Sequence, residues 1–441
     1  MLYSRLSASL LAHADDPQRF VLALSGGLDS RVLLHLMGQF IRQHPQHQCV
    51  AVHVHHGLSP HADSWSQHCQ RWAGQEGIEC YVEQVTLALG SRVSVEQQAR
   101  EHRYQALGKH LNTGDILLTA QHADDQLETV LLTLKRGSGP AGLAAMPERT
   151  PFADGLHLRP LLTSTRQEIE HYGLQHQLEW VEDESNQDVR YDRNFLRHQV
   201  TPLLVERWPG IRKAVARSAA LCGEQEALLQ ELLKDKLEQA VYVDQSLLIS
   251  ALGSERMGKQ LIRQWLGLFD VLMPSQAQLE QIWRAVVLAK SDANPQLCWN
   301  NVQIRRYQQR LYLVRQWPDI KDWQQTCELD QTCLLPQGLG ALTLRAASVG
   351  KGQLRLPRGD EVVSVRFDPE AIEAKPVGRV GKRKMKKLFQ EYGVPSWNRR
   401  RTPLVFYGEQ LAAVAGLFVV DAFSGQDCDL EWHNDVSDVQ F

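Results

Sequence analysis

Phe20-Val21-Leu22-Ala23-Leu24-Ser25-Gly26-Gly27-Leu28-Asp29-Ser30 is the stretch that decides the fold of this 441-residue chain. Its first five residues are an uninterrupted apolar run, the pattern of a strand buried on both faces. Ser25 to Ser30, S-G-G-L-D-S, follow as a turn of small residues. Beyond it Leu33, Leu34, Met37, Phe40 and Ile41 keep helical spacing within Arg31 to His44. A strand, a small-residue turn and a helix N-terminus together form an anion site. The glycines let backbone N–H groups approach a phosphate, and the helix dipole favours its charge. The turn lacks the Lys of G-x-x-x-x-G-K-S/T and is not a G-x-G-x-x-G, so two other phosphate loops are excluded.

Outward from that stretch, strands and helices alternate up to about residue 210. Strands are expected at 20–25, 49–56, 80–86 and 115–121, and helices at 30–44, 62–77 and 94–112, the last opened by a Ser94–Gln97 capping box. This alternation predicts an α/β domain over 1–210 with a doubly wound, Rossmann-like parallel sheet. Ser25–Ser30, His53–Gly57 and Gln121–Asp125 each follow a strand. They should converge on the carboxyl edge of the sheet, where such folds bind ligands.

The remainder reads as three further segments. Residues 211–316 predict a mainly helical domain, with helices from 211 to 233, near 247–266 and near 275–289, closed by a hairpin at Gln303 to Arg315. Residues 317–355, rich in Pro, Gly, Gln and Thr, read as a linker with some strand content. Residues 356–441 predict a small α+β domain. Between Lys375 and Arg401 it holds ten basic residues and one acidic residue, Glu391, a local charge of +9 in a chain whose net charge is −3. Met385, Leu388, Phe389 and Tyr392 can anchor one helical face, and Gly393 and Pro395 end the helix. The basic residues then crowd the other faces, which points to nucleic-acid phosphate rather than an idle solvated surface.

Composition is that of a soluble globular protein, 43% hydrophobic and 22% charged. Eight scattered cysteines with no C-x-x-C suit reduced thiols in a cytoplasmic protein. The apolar patch Leu6 to Ala12 lacks a basic start and a cleavage site, so it reads as a first helix rather than a signal peptide. No apolar run has the length of a membrane span.

In T-A-Q-H-A-D-D-Q-L-E-T, Thr119 to Thr129, the carboxylates of Asp124, Asp125 and Glu128 lie within one helical turn. They could cap the helix, hold Mg²⁺ on a phosphate, or grip a cation. His53, His55 and His56 lack a second ligand group with zinc spacing, so no metal cluster is expected there.

S-G-G-L-D-S is similar to the PP-loop of ATP pyrophosphatases. With H-V-H-H-G-L (His53 to Leu58), E-Q-Q-A-R-E-H-R-Y (Glu96 to Tyr104), T-A-Q-H-A-D-D-Q-L-E-T, K-R-G-S-G-P-A-G-L (Lys135 to Leu143), R-P-L-L (Arg159 to Leu162) and E-D-E-S-N-Q-D-V-R-Y-D-R-N-F-L-R (Glu182 to Arg197) in that order, nearly the whole chain resembles the tRNA(Ile)-lysidine synthetase family in its three-domain bacterial form. The basic K-K-L-F-Q-E-Y-G-V-P-S-W module (Lys386 to Trp397) fits as well. Many members carry His where Gln121 stands, so no catalytic role is given to Gln121.

The resemblance implies a two-step reaction on the wobble cytidine of CAU-anticodon tRNA(Ile). ATP adenylates the base and releases PPi. The amine of free L-lysine then expels AMP. ATP with Mg²⁺ is a substrate, no tightly bound cofactor and no membrane are implied, and the oligomeric state is left open. Ser25, Gly26, Gly27, Leu28, Asp29, Ser30, His53 and His122 are the expected ATP contacts, with Asp29 and Asp125 on Mg²⁺. Asp29, Asp125, Arg100 and Arg197 are the expected catalytic set. Asp125 and Glu128 suit the lysine cation, and Arg103 its carboxylate. Arg193, Lys382, Arg383, Lys386, Lys387, Arg399, Arg400 and Arg401 are the expected tRNA contacts. A tRNA thiolase of the same fold would need nucleophilic cysteines beside the loop, and none lies in these motifs. A small-molecule amide synthetase of the PP-loop class, or an RNA-binding relic, would leave the +9 segment or the intact acidic set unexplained.

Overall fold

The computed structural model describes residues 1–57, 59–85, 95–290, 293–347 and 353–434. Leu58 of the His53–Leu58 motif, and Ser94 and the Gln97 side chain of the expected capping box, lie outside what is described. The chain divides into two compact units, 1–229 and 230–441.

In the first unit α1 (Leu2–His13) precedes β1 (Arg19–Ala23), α2 (Leu28–Gln43), β2 (Gln48–His55), α3 (Ala62–Gln75), β3 (Glu79–Gln84), α4 (Val95–Gly108), β4 (Ile116–Leu118) and α5 (Ala123–Lys135). The expected strands and helices are present, with ends shifted by a few residues. The largest shift is at the end of α4, which stops at Gly108 rather than 112; β4 stops at Leu118, and the Thr119 N–H still donates to the Leu158 carbonyl at 3.2 Å. After the short α6 (Pro140–Leu143) comes a hairpin that the alternation did not show, β5 (Arg149–Phe152) and β6 (Gly155–Leu158). Then follow α7 (Arg166–Gln175), α8 (Asp192–Phe195) and α9 (Thr201–Arg207). The strand order is β3-β2-β1-β4-β6-β5, all parallel except β5 at the edge.

β1 is central because both its faces are buried. Phe20 and Leu22 pack with Val32, Leu33, Met37 and Phe40 of α2 on one side. Val21 packs with Val52, Leu107 and Leu117 on the other. Each such fully buried side chain contributes about 1.5–3 kcal/mol. The sequence runs β1, β2, β3 to one side and then returns to place β4 on the other side of β1. The strand order therefore reverses between β1 and β4, and the crevice there opens beside Ser25–Ser30 and Gln121–Asp125.

The turn itself demands glycine at one position. Gly26 has φ +88°, and a Cβ there would lie 3.2 Å from Cys69 Sγ. Gly27 caps α2 at an ordinary φ of −71°.

The long α10 (Ile211–Ala240) follows, and the division between the units falls within it. β7 (Leu247–Leu248) and a 3₁₀ turn occupy the start of the helix expected near 247–266, leaving α11 at Glu255–Leu266. α12 (Gln276–Gln281) runs on as a π-helical turn to Val287. The expected hairpin, β9 (Val302–Tyr307) and β10 (Arg310–Arg315), is flanked by β7 and β8 (Gln296–Trp299) in a four-stranded antiparallel sheet. The segment thus carries more strand than its helical spacing indicated.

Residues 317–355 differ from the expected linker. They supply β11 (Gln324–Thr326), β12 (Thr332–Leu334) and β13 (Ala341–Ala346), and Cys327, Cys333, Leu342 and Leu344 are buried in the same core as Val365, Phe367 and Tyr407. The physical reason is pairing with distant strands, β11 on β14 (Val363–Arg366) and β13 on β20 (Cys428–His433). Between them lie the ribbon β15 (Glu373–Ala374) and β16 (Arg383–Lys384), α13 (Met385–Glu391), and β17 (Leu404–Tyr407), β18 (Gln410–Val414) and β19 (Phe418–Val419). Met385, Leu388 and Phe389 anchor α13 as their spacing indicated. Tyr392 is exposed and stacks on Phe418.

A left-handed φ costs a residue with a Cβ about 1–2 kcal/mol, so Gly26→Ala should lower stability by at least that amount. Gly27→Ala, whose methyl meets nothing nearer than 3.7 Å, should cost less. Urea denaturation of the two variants beside the parent checks the order.

Candidate active site

Three segments meet at the β1–β4 crevice. The first is the S-G-G-L-D-S turn. Ser30 Oγ donates to the Gly27 carbonyl at 3.0 Å, accepts from the Gly26 N–H at 3.1 Å, and lies 3.0 Å from Ser25 Oγ. The hydroxyls hold the loop open around its backbone donors. Leu28 is buried at the first turn of α2. His53, also buried, donates from Nδ1 to the Leu24 carbonyl at 2.8 Å. Burial pushes the ring's pKa down, so it remains neutral. His53 therefore props the strand end just before the turn.

The second segment is the N-terminus of α5. His122 and Asp125 form a capping box: the His122 N–H donates to Asp125 Oδ2 at 3.1 Å, and the Asp125 N–H donates to His122 Nδ1 at 3.4 Å. With Nδ1 accepting, the ring proton sits on Nε2. That nitrogen lies 3.3 Å from Asp125 Oδ2 and 3.7 Å from Asp29 Oδ1. Asp29 pairs through its other oxygen with Arg166, at the start of α7. Asp29 Oδ1 is buried and has no hydrogen-bond partner among the described residues.

The third segment is α8 and the π-helical turn that extends it, Leu196–Val200. Arg193 reaches Asp125 Oδ1 at 3.0 Å and Glu128 Oε2 at 2.9 Å. Arg197 reaches Asp125 Oδ1 at 2.9 Å and both oxygens of Glu128, at 2.8 and 3.0 Å. Glu128 is fully buried, while each arginine side chain keeps about a third of its surface in solvent. Burial alone would raise the Asp125 pKa, but His122, Arg193 and Arg197 hold it below the ordinary value. The acidic face is therefore not open to a cation, as its sequence suggested: both carboxylates are clasped by arginines. Asp124 is turned away from them, accepting from Arg212 Nε at 2.6 Å and the Arg166 N–H at 2.9 Å.

Arg100 and Arg103 sit elsewhere. Arg100 lies over the Tyr104 ring and Arg103 donates to His56 Nε2 at 3.4 Å. No bond joins either to Asp29, Asp125 or Glu128 among the described residues. Arg166 and Arg212 belong to the site and were not identified from sequence. Arg166 had one local signal, the Thr165–Glu168 capping box that starts α7. Cys69 lies against Gly26, but burial pushes its thiol up to about 12, so it is no sulfur nucleophile.

The residues fit Mg²⁺ only in one way. No group of three His, Cys, Asp or Glu side chains forms a metal site among the described residues. Mg²⁺, however, is often held by one or two carboxylates and a substrate's phosphates. Asp29 Oδ1, unpartnered beside a phosphate-binding turn, suits that mode. Asp125, with both oxygens engaged, suits it less.

In the second unit the basic residues between Lys375 and Arg401, the expected tRNA contacts among them, separate into classes. Arg379 and Arg383 pair with Glu391, Arg400 pairs with Asp319 and Glu370, and Lys375 pairs with Asp421. Lys382, Lys386 and Lys387 are exposed, and no ion pair engages them among the described residues. Arg399 is half-buried and donates to the Val394 carbonyl at 3.2 Å. Arg401 is buried.

Residues 3–204 match the PP-loop domain family, 253–312 the TilS substrate binding domain and 363–436 the TilS substrate C-terminal domain. The chain is 71% identical over 432 residues to the tRNA(Ile)-lysidine synthase of Photobacterium profundum, covering 98% of this chain and 99% of that one. It is 54% identical over 417 residues to a synthase of Vibrio cholerae serotype O1, 94% of each chain. With the synthase of Vibrio parahaemolyticus the identity is 51% over 433 residues, 98% of each.

The clasp is asymmetric, and stability should report it. Glu128→Gln leaves two arginines that solvent can reach, costing about 1–3 kcal/mol. Removing both guanidiniums, Arg193→Ala with Arg197→Ala, strands a buried carboxylate and should cost more, about 3–5 kcal/mol. Comparing the two variants by urea denaturation at pH 7 tests the order; equal losses would contradict it.

Proposed function

Because the chain belongs to the tRNA(Ile)-lysidine synthase family, we propose that its β1–β4 crevice cleaves ATP to adenylate the wobble cytidine of a CAU-anticodon tRNA(Ile), and that free L-lysine then displaces AMP. The observation that carries the assignment of residues is the unpartnered Asp29 oxygen beside an open phosphate turn. Backbone N–H groups of Gly27 and Leu28, with the Ser25 hydroxyl, hold the β,γ-pyrophosphate at the α2 N-terminus, and Ser30, bonded to the Gly26 N–H and the Gly27 carbonyl, keeps the turn in shape. Asp29 would hold Mg²⁺, which neutralises the leaving pyrophosphate when bound. His122, its proton on Nε2, donates toward a phosphate oxygen. His53 acts through the Leu24 carbonyl rather than on the nucleotide.

Lysine brings cationic groups into competition with Arg193 and Arg197 for Asp125 and Glu128. The two arginines are one helical turn apart and a third exposed, so they can swing to the anionic α-phosphate of the adenylate. That exchange hands the carboxylates to the ammonium only after the adenylate has formed. It makes nucleophile entry follow activation, and it unites the catalytic reading of Arg197 with the lysine-binding reading of Asp125 and Glu128.

Labelled lysine, ATP and CAU tRNA(Ile) incubated with the protein should yield labelled tRNA, and Asp29→Ala should lose tRNA-dependent PPi release while still binding tRNA. PPi release at the parent rate in Asp29→Ala would remove Asp29 from the mechanism.

We further infer that the exposed lysines around α13 dock on tRNA backbone. Phosphate contacts release counterions, so affinity should fall steeply with salt. Replacing Lys382, Lys386 and Lys387 with Ala should weaken tRNA binding and flatten the salt slope by about 0.7–0.9 for each phosphate no longer engaged. Replacing Arg383 and Arg400, already paired with carboxylates, should change the slope less. Filter binding across a salt series reads both.

A further inference from the structure

Just beyond β4 a line of polar side chains runs out of the sheet toward the β1–β4 crevice. Arg159, buried after β6, donates from Nη1 to the Pro147 carbonyl at 2.8 Å and from Nη2 to His157 Nδ1 at 3.1 Å. His157 Nε2 lies 2.7 Å from Thr119 Oγ1. The Thr119 hydroxyl in turn bonds Gln121 Oε1. His157 and Thr119 are buried, with the Tyr104 and Phe152 rings against the imidazole, and Gln121 is half-buried.

The line can run in one direction only. A guanidinium donates and never accepts, so His157 Nδ1 is the acceptor and the imidazole proton sits on Nε2. Burial and the Arg159 charge push the ring's pKa down to about 3, so no second proton upsets that arrangement. Nε2–H then donates to Thr119 Oγ1, which leaves the hydroxyl proton of Thr119 for Gln121 Oε1. With its oxygen held inward, Gln121 turns its NH2 outward. A free amide can flip and offer either end, but here Arg159, three hydrogen bonds away, sets the polarity. The NH2 makes no hydrogen bond among the described residues, and it is not one of the sealed unpartnered atoms, so it stays open to solvent.

Its place limits what it meets. Gln121 immediately precedes His122, whose Nε2 lies 3.7 Å from Asp29 beside the phosphate turn. With pyrophosphate at the β1 turn, the neighbouring group of the nucleotide is the α-phosphate. The carboxylates of Asp29, Asp125 and Glu128 are acceptors and cannot bond a phosphate oxygen, whereas a fixed neutral donor can. A donor oriented before the ligand arrives also needs no reorganisation as charge gathers on a phosphoryl oxygen.

We propose that Gln121 contacts the substrate, its NH2 donating to an α-phosphate oxygen of the nucleotide, and that Thr119, His157 and Arg159 are positioning residues that hold the amide in this sense. This rests on the reading that ATP is cleaved at the β1–β4 crevice, and it gives a role to a side chain that reading leaves unused.

Gln121→Met removes the donor and keeps the length. In tRNA-dependent PPi release its kcat should fall about 10- to 150-fold, as for the loss of one hydrogen bond to a charged group, with the KM for ATP changed less. Gln121→His, whose neutral imidazole accepts from Thr119 at one nitrogen and donates at the other, should recover most of that loss. Thr119→Val should reproduce part of it, and Thr119→Ser should restore it. In the Gln121→Met background Thr119→Val should add nothing further, whereas an independent structural role would add its full effect. Calorimetric titration with AMP, adenosine and magnesium pyrophosphate locates the contact: Gln121→Met should weaken AMP binding about tenfold or more and leave the other two unchanged. Adenosine weakened as much as AMP would overturn the phosphate assignment. Parent AMP binding with parent kcat would overturn the whole proposal, and additive effects of Thr119 and Gln121 would overturn the positioning line. Thermal melting identifies a Thr119 variant that fails to fold, in which case the two Gln121 variants, altered at a half-buried side chain, carry the test. The titration needs neither tRNA nor lysine, so failure of the proposed reaction and failure of this contact are separable.

Discussion

Glu128 is fully buried and holds two guanidiniums, and the arrangement of the catalytic unit depends on that pairing. An ionised carboxylate cannot remain in such a place alone. Its burial is set by the sheet: β4 ends beside β1, α5 begins there, and the third residue after Asp125 necessarily faces inward. The arginines are contributed some 65 residues later by α8 and the π-helical turn beyond it. The ion pairs therefore fix a segment with little regular structure, 182–197, onto the mouth of the crevice. Arg193 in α8 and Arg197 in the π-helical turn at Leu196–Val200 fall on the same two carboxylates. Distorted turns of this kind are frequent at functional sites.

What could be read from sequence and what could not differ by the range of the interaction. Phe20 to Ser30 announced its strand, turn and helix because all three are local patterns, and the order of the polar motifs after strands located the crevice. Asp125 was legible as a cap because its partner is three residues away. It was not legible as an ion-pair partner of Arg193, because a spacing of 68 residues leaves no periodic trace. The same holds for Asp29 with Arg166 and Asp124 with Arg212. The 317–355 segment read as a linker because its strands are three to six residues long and interrupted by Pro, Gly and Gln. Its folding comes from β14 and β20, strands that the local pattern does not reveal.

Charge in the second unit teaches a related lesson. Ten basic residues between Lys375 and Arg401 look like one electropositive surface. In three dimensions several of the arginines neutralise carboxylates, Lys382, Lys386 and Lys387 face solvent, and Arg401 is interior. Lysine keeps a strongly hydrated ammonium in water, while arginine's flat, weakly hydrated fork tolerates burial and bidentate pairing. Residue type within a basic run thus separates diffuse backbone attraction from fixed contacts, a distinction that the net charge conceals.

Cys69 lies under the phosphate turn with its sulfur close to Gly26. A thiol held at about 12 is ionised to only about one part in 10⁵ at pH 7. Oxidants and disulfide exchange act on the thiolate and need access to it, and this sulfur offers neither. The turn proposed to grip pyrophosphate therefore rests on a sulfur packed as a hydrocarbon would be, so peroxide stress should leave nucleotide handling intact while more exposed thiols of the chain, such as Cys298, are oxidised first.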